Sequence, residues 1–235
     1  MKLHQFISLI SLFIGQVCYA QLIVNTAIIT FDDPNITRED VTVINDSDEE
    51  TMYLQVEPFK VVNPGTQAQT MIPIDLSQEP EFLVTPNKLI VPPKGRSIVR
   101  FLNLKKKNNK ENIYRVNITP IKAPQELFTK EPTDLSSRLE VVIAYQVLVI
   151  DLPATPESNL WVERNGTIAT FKNSGNSNYL LSGGIQCDPV NPEACVALED
   201  RRVYSGNEWI LELPFDGPFT YMVKDTKGNS AHLFK

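Results

Sequence analysis

Apolar residues fall in short extended runs between turn formers, and no stripe with the i, i+3, i+4, i+7 spacing of an amphipathic helix is sustained. The runs predict strands at 22–31, 39–45, 51–61, 81–84, 88–91, 96–102, 112–121 and 139–150, then at 160–163, 167–172, 179–187, 195–198, 208–213, 219–224 and 231–234. Seven or eight strands before residue 153 is a β-sandwich count, and Pro153-Ala154-Thr155-Pro156 offers a stiff hinge to a second, smaller all-β unit. The turns have recognisable chemistry. Asn45-Asp46-Ser47-Asp48 supplies side chains that bond their own backbone, Asn63-Pro64-Gly65 and Pro92-Pro93-Lys94-Gly95 join a fixed φ to a permissive glycine, and Asn165-Gly166 is the strongest hairpin signal.

The run from Leu139 to Ile150 differs from the rest. It is apolar at nearly every position, so both alternating sets, Leu139/Val141/Ile143/Tyr145/Val147/Val149 and Val142/Ala144/Leu148/Ile150, demand cover. Either it lies between two packed layers, or one face is kept for a guest. At an uncovered sheet edge such a strand is an aggregation hazard, because its backbone groups and side chains invite another strand. The segment before it, from Lys122-Ala123-Pro124 to Glu131-Pro132-Thr133, is polar and punctuated by proline, which predicts a mobile loop.

Composition narrows the setting. Met1-Lys2-Leu3, the apolar run Phe6 to Val17 and Cys18-Tyr19-Ala20 predict a secretory signal peptide over residues 1–20, and no later run is long enough to enter a membrane as a helix. Of the 22 basic residues the leader takes Lys2, leaving 21 against 28 acidic ones, a net charge of −7. Nucleic acid is therefore not an expected partner, and the cluster Lys105-Lys106-Lys107 with Lys110 reads as a solvated hairpin tip. Cys187 and Cys195 are expected to pair in an oxidising compartment, stapling a short Pro-rich turn. Beyond the leader there is one histidine, His232, and no nucleophile elbow, phosphate-cradling loop, zinc cluster or calcium loop. No enzyme activity, metal or cofactor is expected. Binding remains.

Several stretches, in order and spacing, carry a resemblance. Thr85-Pro86 is followed by Leu89, Pro93, Gly95, Ser97 and Val99-Arg100; Asn45-Asp46 precedes Tyr53-Leu54-Gln55; Tyr114-Arg115-Val116 forms one strand and Pro153 closes another. The second unit adds Asn173-Ser174-Gly175-Asn176 and Val223-Lys224-Asp225-Thr226-Lys227-Gly228. Over essentially the whole chain this resembles the PapD-like periplasmic chaperones of the chaperone/usher pathway, on the side of the alternate or archaic CFA-like branches, with Lys94 inserted between proline and glycine of the family's TP...L.PG..S.VR segment.

The resemblance implies two immunoglobulin-like β-sandwich domains in an L-shaped arrangement, 21–153 and 154–235, in the periplasm. It implies binding of pilus or fimbrial subunits by donor-strand complementation and their delivery to an outer-membrane usher. Aligned on Pro153, the donor residues are Leu139, Val141 and Ile143, which are otherwise ordinary core. The family's anchoring arginine and lysine, which hold the C-terminal carboxylate of the bound pilin, fall here near Ile28 and Leu148, neither of them basic. A buried carboxylate still needs a cation. Arg115, next to the donor strand, is the expected anchor and Arg100 the reserve, either of which is otherwise a surface arginine. Leu152 stands where the family has an arginine, so its interdomain ion pair with Asp225 is not expected. The alternative reading is a secreted immunoglobulin-like structural or adhesive module.

Overall fold

The computed structural model describes residues 22–75, 77, 79–104, 108–123 and 143–235, and among these every regular element is a strand. The first unit stacks two sheets. One has the order β1 (Leu22–Val24), β3 (Arg38–Asn45), β8 (Arg96–Asn103), β6 (Phe82–Thr85); the other runs β2 (Ile28–Phe31), β10 (Tyr145–Asp151), β9 (Asn112–Ile121), β4 (Met52–Val62), β5 (Thr70–Pro73), with β7 (Lys88–Val91) also on β4. Alternation makes the layers: Val41, Val43, Val99 and Phe101 of one sheet share a core with Leu54, Val56, Val116, Ile118, Val147 and Val149 of the other. Each such side chain contributes about 1.5–3 kcal/mol on burial.

The single strand expected over 22–31 is two strands in different sheets. The chain crosses the sandwich at Asn25–Ala27, where the Asn25 N–H donates to the Thr42 carbonyl at 3.1 Å and Asn25 Oδ1 accepts the Thr42 N–H at 2.8 Å. That crossing is what puts β2 beside β10, in parallel.

The second unit pairs a sheet β11 (Leu160–Asn165), β12 (Ile168–Asn173), β16 (Glu208–Glu212) with a sheet β14 (Cys195–Leu198), β13 (Tyr179–Cys187), β17 (Phe219–Asp225), β18 (Gly228–Phe234), and β15 (Arg201–Val203) also lies on β13. Phe171 anchors its core, stacked on Trp209 at 4.9 Å and edge-on to Tyr221 at 6.0 Å. Gly166 turns the Asn165-Gly166 hairpin at φ 59°. Cys187 and Cys195 are register partners on β13 and β14 and form a disulfide, as expected.

Two buried asparagines explain why the matching stretches matter. Asn45 donates from Nδ2 to the carbonyls of Glu50 and Val91 and accepts the Ser47 N–H, locking the turn after β3 to the one after β7. Asn173 repeats this in the second unit, donating to the carbonyls of Ser177 and Val203 and accepting the Gly175 N–H. Lys94, the inserted lysine, sits at φ 52° and donates from Nζ to Asp46 Oδ1 at 3.0 Å.

Candidate functional site

β10 carries the C-terminal part of the apolar run, and both its faces are covered where it is fully paired. Val147 and Val149 point into the first core, while Leu148 and Ile150 join Val61, Ile113 and Leu152 beneath Tyr204 of the second unit. β9 flanks β10 along its whole length, but β2 pairs only with Leu148–Asp151. No described strand lies on that side of Tyr145–Val147. Because the Leu148 N–H points across to Ala27, alternation aims the backbone groups of Gln146 at this open edge. Side chains follow the same gradient: Val147 is buried, Tyr145 is half-buried against the core, and Ile143 is 39% exposed.

Register draws a second feature across the sheet. Ile28, Leu148 and Arg115 are successive partners, and Phe59 on β4 continues the row. The two positions where the resemblance calls for basic residues thus lie in one row with Arg115, so a cation is present one strand over. This face is concave, since Met71 Sδ on β5 lies 3.8 Å from Gln146 Nε2 on β10 although β9 and β4 run between them. Arg115 sits half-buried on its floor, with no carboxylate within ion-pair distance among the described residues.

The second unit forms the opposite wall. Tyr204 packs on Leu148, Ile150 and Ile113, and Gly65 permits the close approach: a Cβ there would meet the Tyr204 ring at 2.8 Å, and its φ is 75°. Glu111, just before β9, crosses between the units and is buried. It accepts the Asn178 N–H at 2.9 Å, the Ser205 N–H at 2.8 Å and the Asn178 side-chain amide, and its own N–H donates to the Asn176 carbonyl at 3.0 Å. Burial pushes the Glu111 carboxyl up, against the pull of these donors. Burial also lowers Arg202 and raises Tyr204. Glu111 and Tyr204 border a cavity of ≈ 210 Å³ that reaches Asn63 and Asn207.

Of the residues expected from the sequence, Leu139, Val141 and the 124–133 segment lie outside the described residues, as do Lys105 to Lys107. Ile143 precedes β10 and is not in a strand, so the run begins its described pairing at Tyr145, not earlier. Arg100 is a correction: it lies on the outer face of the opposite sheet, paired with Asp40 at 3.2 Å, and the sandwich core separates it from Arg115. Asp225 accepts the Ser158 hydroxyl at 2.9 Å and Leu152 packs under Tyr204, so the units are joined by Glu111 and an apolar cluster. Neither Glu111 nor Arg202 was singled out in the sequence, where each is one charged residue in a polar turn. Among the described residues no group of three or more His, Cys, Asp or Glu could hold a metal, and no helix is long and apolar enough to cross a membrane.

Solved structures share this arrangement. The class 5 fimbriae chaperone CfaA superposes with a TM-score of 0.63 and 22% identity over 91% of this chain and 99% of its own. The chain has the fold of the fimbrial chaperones. A chain from the complex of the Salmonella enterica SafA pilin with the SafB chaperone matches with a TM-score of 0.64 and 16% identity over 93% of this chain and 96% of that one. In sequence, a CS1 fimbrial protein of Escherichia coli is 26% identical over 186 residues, 77% of each chain, and a CFA/I fimbrial protein of Escherichia coli is 28% identical over 116 residues, 49% of this chain and 48% of its own. No protein-family model matches the chain. With the fimbrial-chaperone fold in place, the open edge of β10 and the concave face holding Arg115 are adjoining parts of one surface that reaches the junction between the two units.

Proposed function

We propose that the protein is a periplasmic, non-enzymatic chaperone that holds fimbrial subunits by lending them a strand, and hands them to an outer-membrane usher. The observation that carries this is the edge of β10: it is open beside Tyr145–Val147, and its apolar stripe continues outward to Ile143. A pilin lacking one strand would gain a hydrogen-bonded ladder from that edge and apolar plugs from Leu139, Val141 and Ile143. Three such plugs contribute roughly 5 to 8 kcal/mol before ordering costs. Arg115 serves as the cation for the C-terminal carboxylate of the pilin, at the end of the open edge. Residues 1–20 direct export, and domains 21–153 and 154–235 frame the cleft.

Co-expression with a pilin from the same gene cluster tests this. The pilin should accumulate as a soluble one-to-one complex only when this protein is present. A pilin equally soluble and protease-resistant alone would remove the chaperone reading and leave the structural or adhesive module.

A further inference from the structure

Arg202 lies on β15 in the second unit, and its neighbourhood is unusually well determined. Asn178 gives its amide NH2 to the Glu111 carboxylate, so its oxygen is turned away from Glu111 and accepts the Arg202 guanidinium. Reversing that amide would set its oxygen against a carboxylate and its NH2 against a guanidinium. Glu111 therefore fixes Asn178, and Asn178 fixes Arg202. One of the five N–H donors is used this way, and no carboxylate lies within ion-pair distance of Arg202 among the described residues.

The same stretch of chain is pressed against the row that holds Arg115. Tyr204, two residues beyond Arg202, packs on Leu148, the register partner of Arg115, and on Ile113, two residues before it. Arg115 also acts on Arg202 as a like charge. Two half-buried guanidinium groups on opposite walls of a cleft repel one another when the cleft is empty. A carboxylate between them relieves this, because its two oxygens can accept from both forks.

We infer that Arg202 is the second cation of the carboxylate site, so that the bound chain end is clamped between Arg115 of the first unit and Arg202 of the second. This rests on the chaperone reading. Glu111 and Asn178 are positioning residues: they touch no ligand and set where the second guanidinium stands. The clamp makes ligand binding depend on how the two units are docked, and gives binding a reason to tighten that docking.

The test uses full-length protein and two versions of one pilin from the same gene cluster, one with its natural free C-terminus and one extended by a hexahistidine tail that removes the carboxylate from the site. With the natural pilin, Arg202→Gln should weaken the complex by about 10- to 100-fold, Arg202→Lys should restore part of this, and Asn178→Ala should reproduce part of the Arg202→Gln loss. With the extended pilin, Arg202→Gln should match the wild type. Melting curves of the free variants check that they are folded. An Arg202→Gln protein that binds the natural pilin like wild type, or loses binding equally with both, overturns the clamp alone. Wild-type protein indifferent to the extension overturns Arg115 as anchor and the clamp with it, and no complex with either pilin overturns the chaperone reading itself.

Discussion

Along β10, Leu148–Asp151 runs between β2 and β9 with Val149 in the sandwich core and Ile150 under Tyr204, whereas Tyr145–Val147 has β9 alone and Ile143 beyond it is solvent-exposed. The residue types at the two ends are alike. What differs is the neighbour: β2 begins at Ile28 because the chain crosses the sandwich at Asn25–Ala27, and the edge is open wherever β2 is absent. Apolar character thus marks a strand that needs cover without saying whether the protein or a partner supplies it.

Substitutions at the two ends should separate these roles. The largest effect is expected for Val149→Asp, where an unpaired carboxylate in the core costs about 4 kcal/mol or more and should leave the first unit unfolded by circular dichroism. Ile143→Asp should abolish the complex with a pilin on size exclusion while changing the stability of the free protein by less than about 0.5 kcal/mol; a collapse like that of Val149→Asp would make Ile143 core. Arg115→Gln should weaken the complex by about 2 to 5 kcal/mol with the melting temperature retained, and full binding by calorimetry would remove it from the site. Reducing the Cys187–Cys195 bond, which spans a sequence separation of 8 far from β10, should cost the second unit about 2.5 kcal/mol in denaturant titration and leave the first unit's transition in place.

The smallest effect concerns the other arginine. Asp40, hydrogen-bonded by Arg38 and then by Arg100, has its carboxyl held at about 2, below its ordinary value of 3.8. A depressed carboxylate contributes stability above the ordinary value and loses it as pH falls through the folded one. Asp40→Asn should therefore remove a slight destabilisation between about pH 4 and pH 2, with no change in pilin binding at neutral pH. A binding defect in Asp40→Asn would return Arg100 to the site.

Much of this was legible in the sequence, because period-2 alternation and turn chemistry are local. Arg96–Asn103 and Asn112–Ile121 show their inward and outward residues directly, and the Asn165-Gly166 hairpin needed no tertiary information. β5 was not legible: all of its residues are exposed, so no alternation marks it. The break at Asn25–Ala27 was hidden by apolar residues on both sides, since Leu22 and Phe31 satisfy the same core from different sheets. Arg115 was found through its strand, whereas Arg202 and Glu111 acquire meaning only when Asn178 brings two units together. Arg100 was misplaced because adjacency in a motif does not say which layer a strand joins.

The parallel pairing of β2 with the second half of β10 also works as a ruler. A guest strand running in the same direction as β10 along the open edge meets the start of β2 head-on at the row of Ile28, Leu148 and Arg115. Its last residue is thereby assigned a fixed place, and a slip of one residue would turn every side chain to the opposite face. A chain end one residue too long would have to push into β2, and one too short would strand its carboxylate away from Arg115. The edge therefore reads where a polypeptide stops as well as what it is made of.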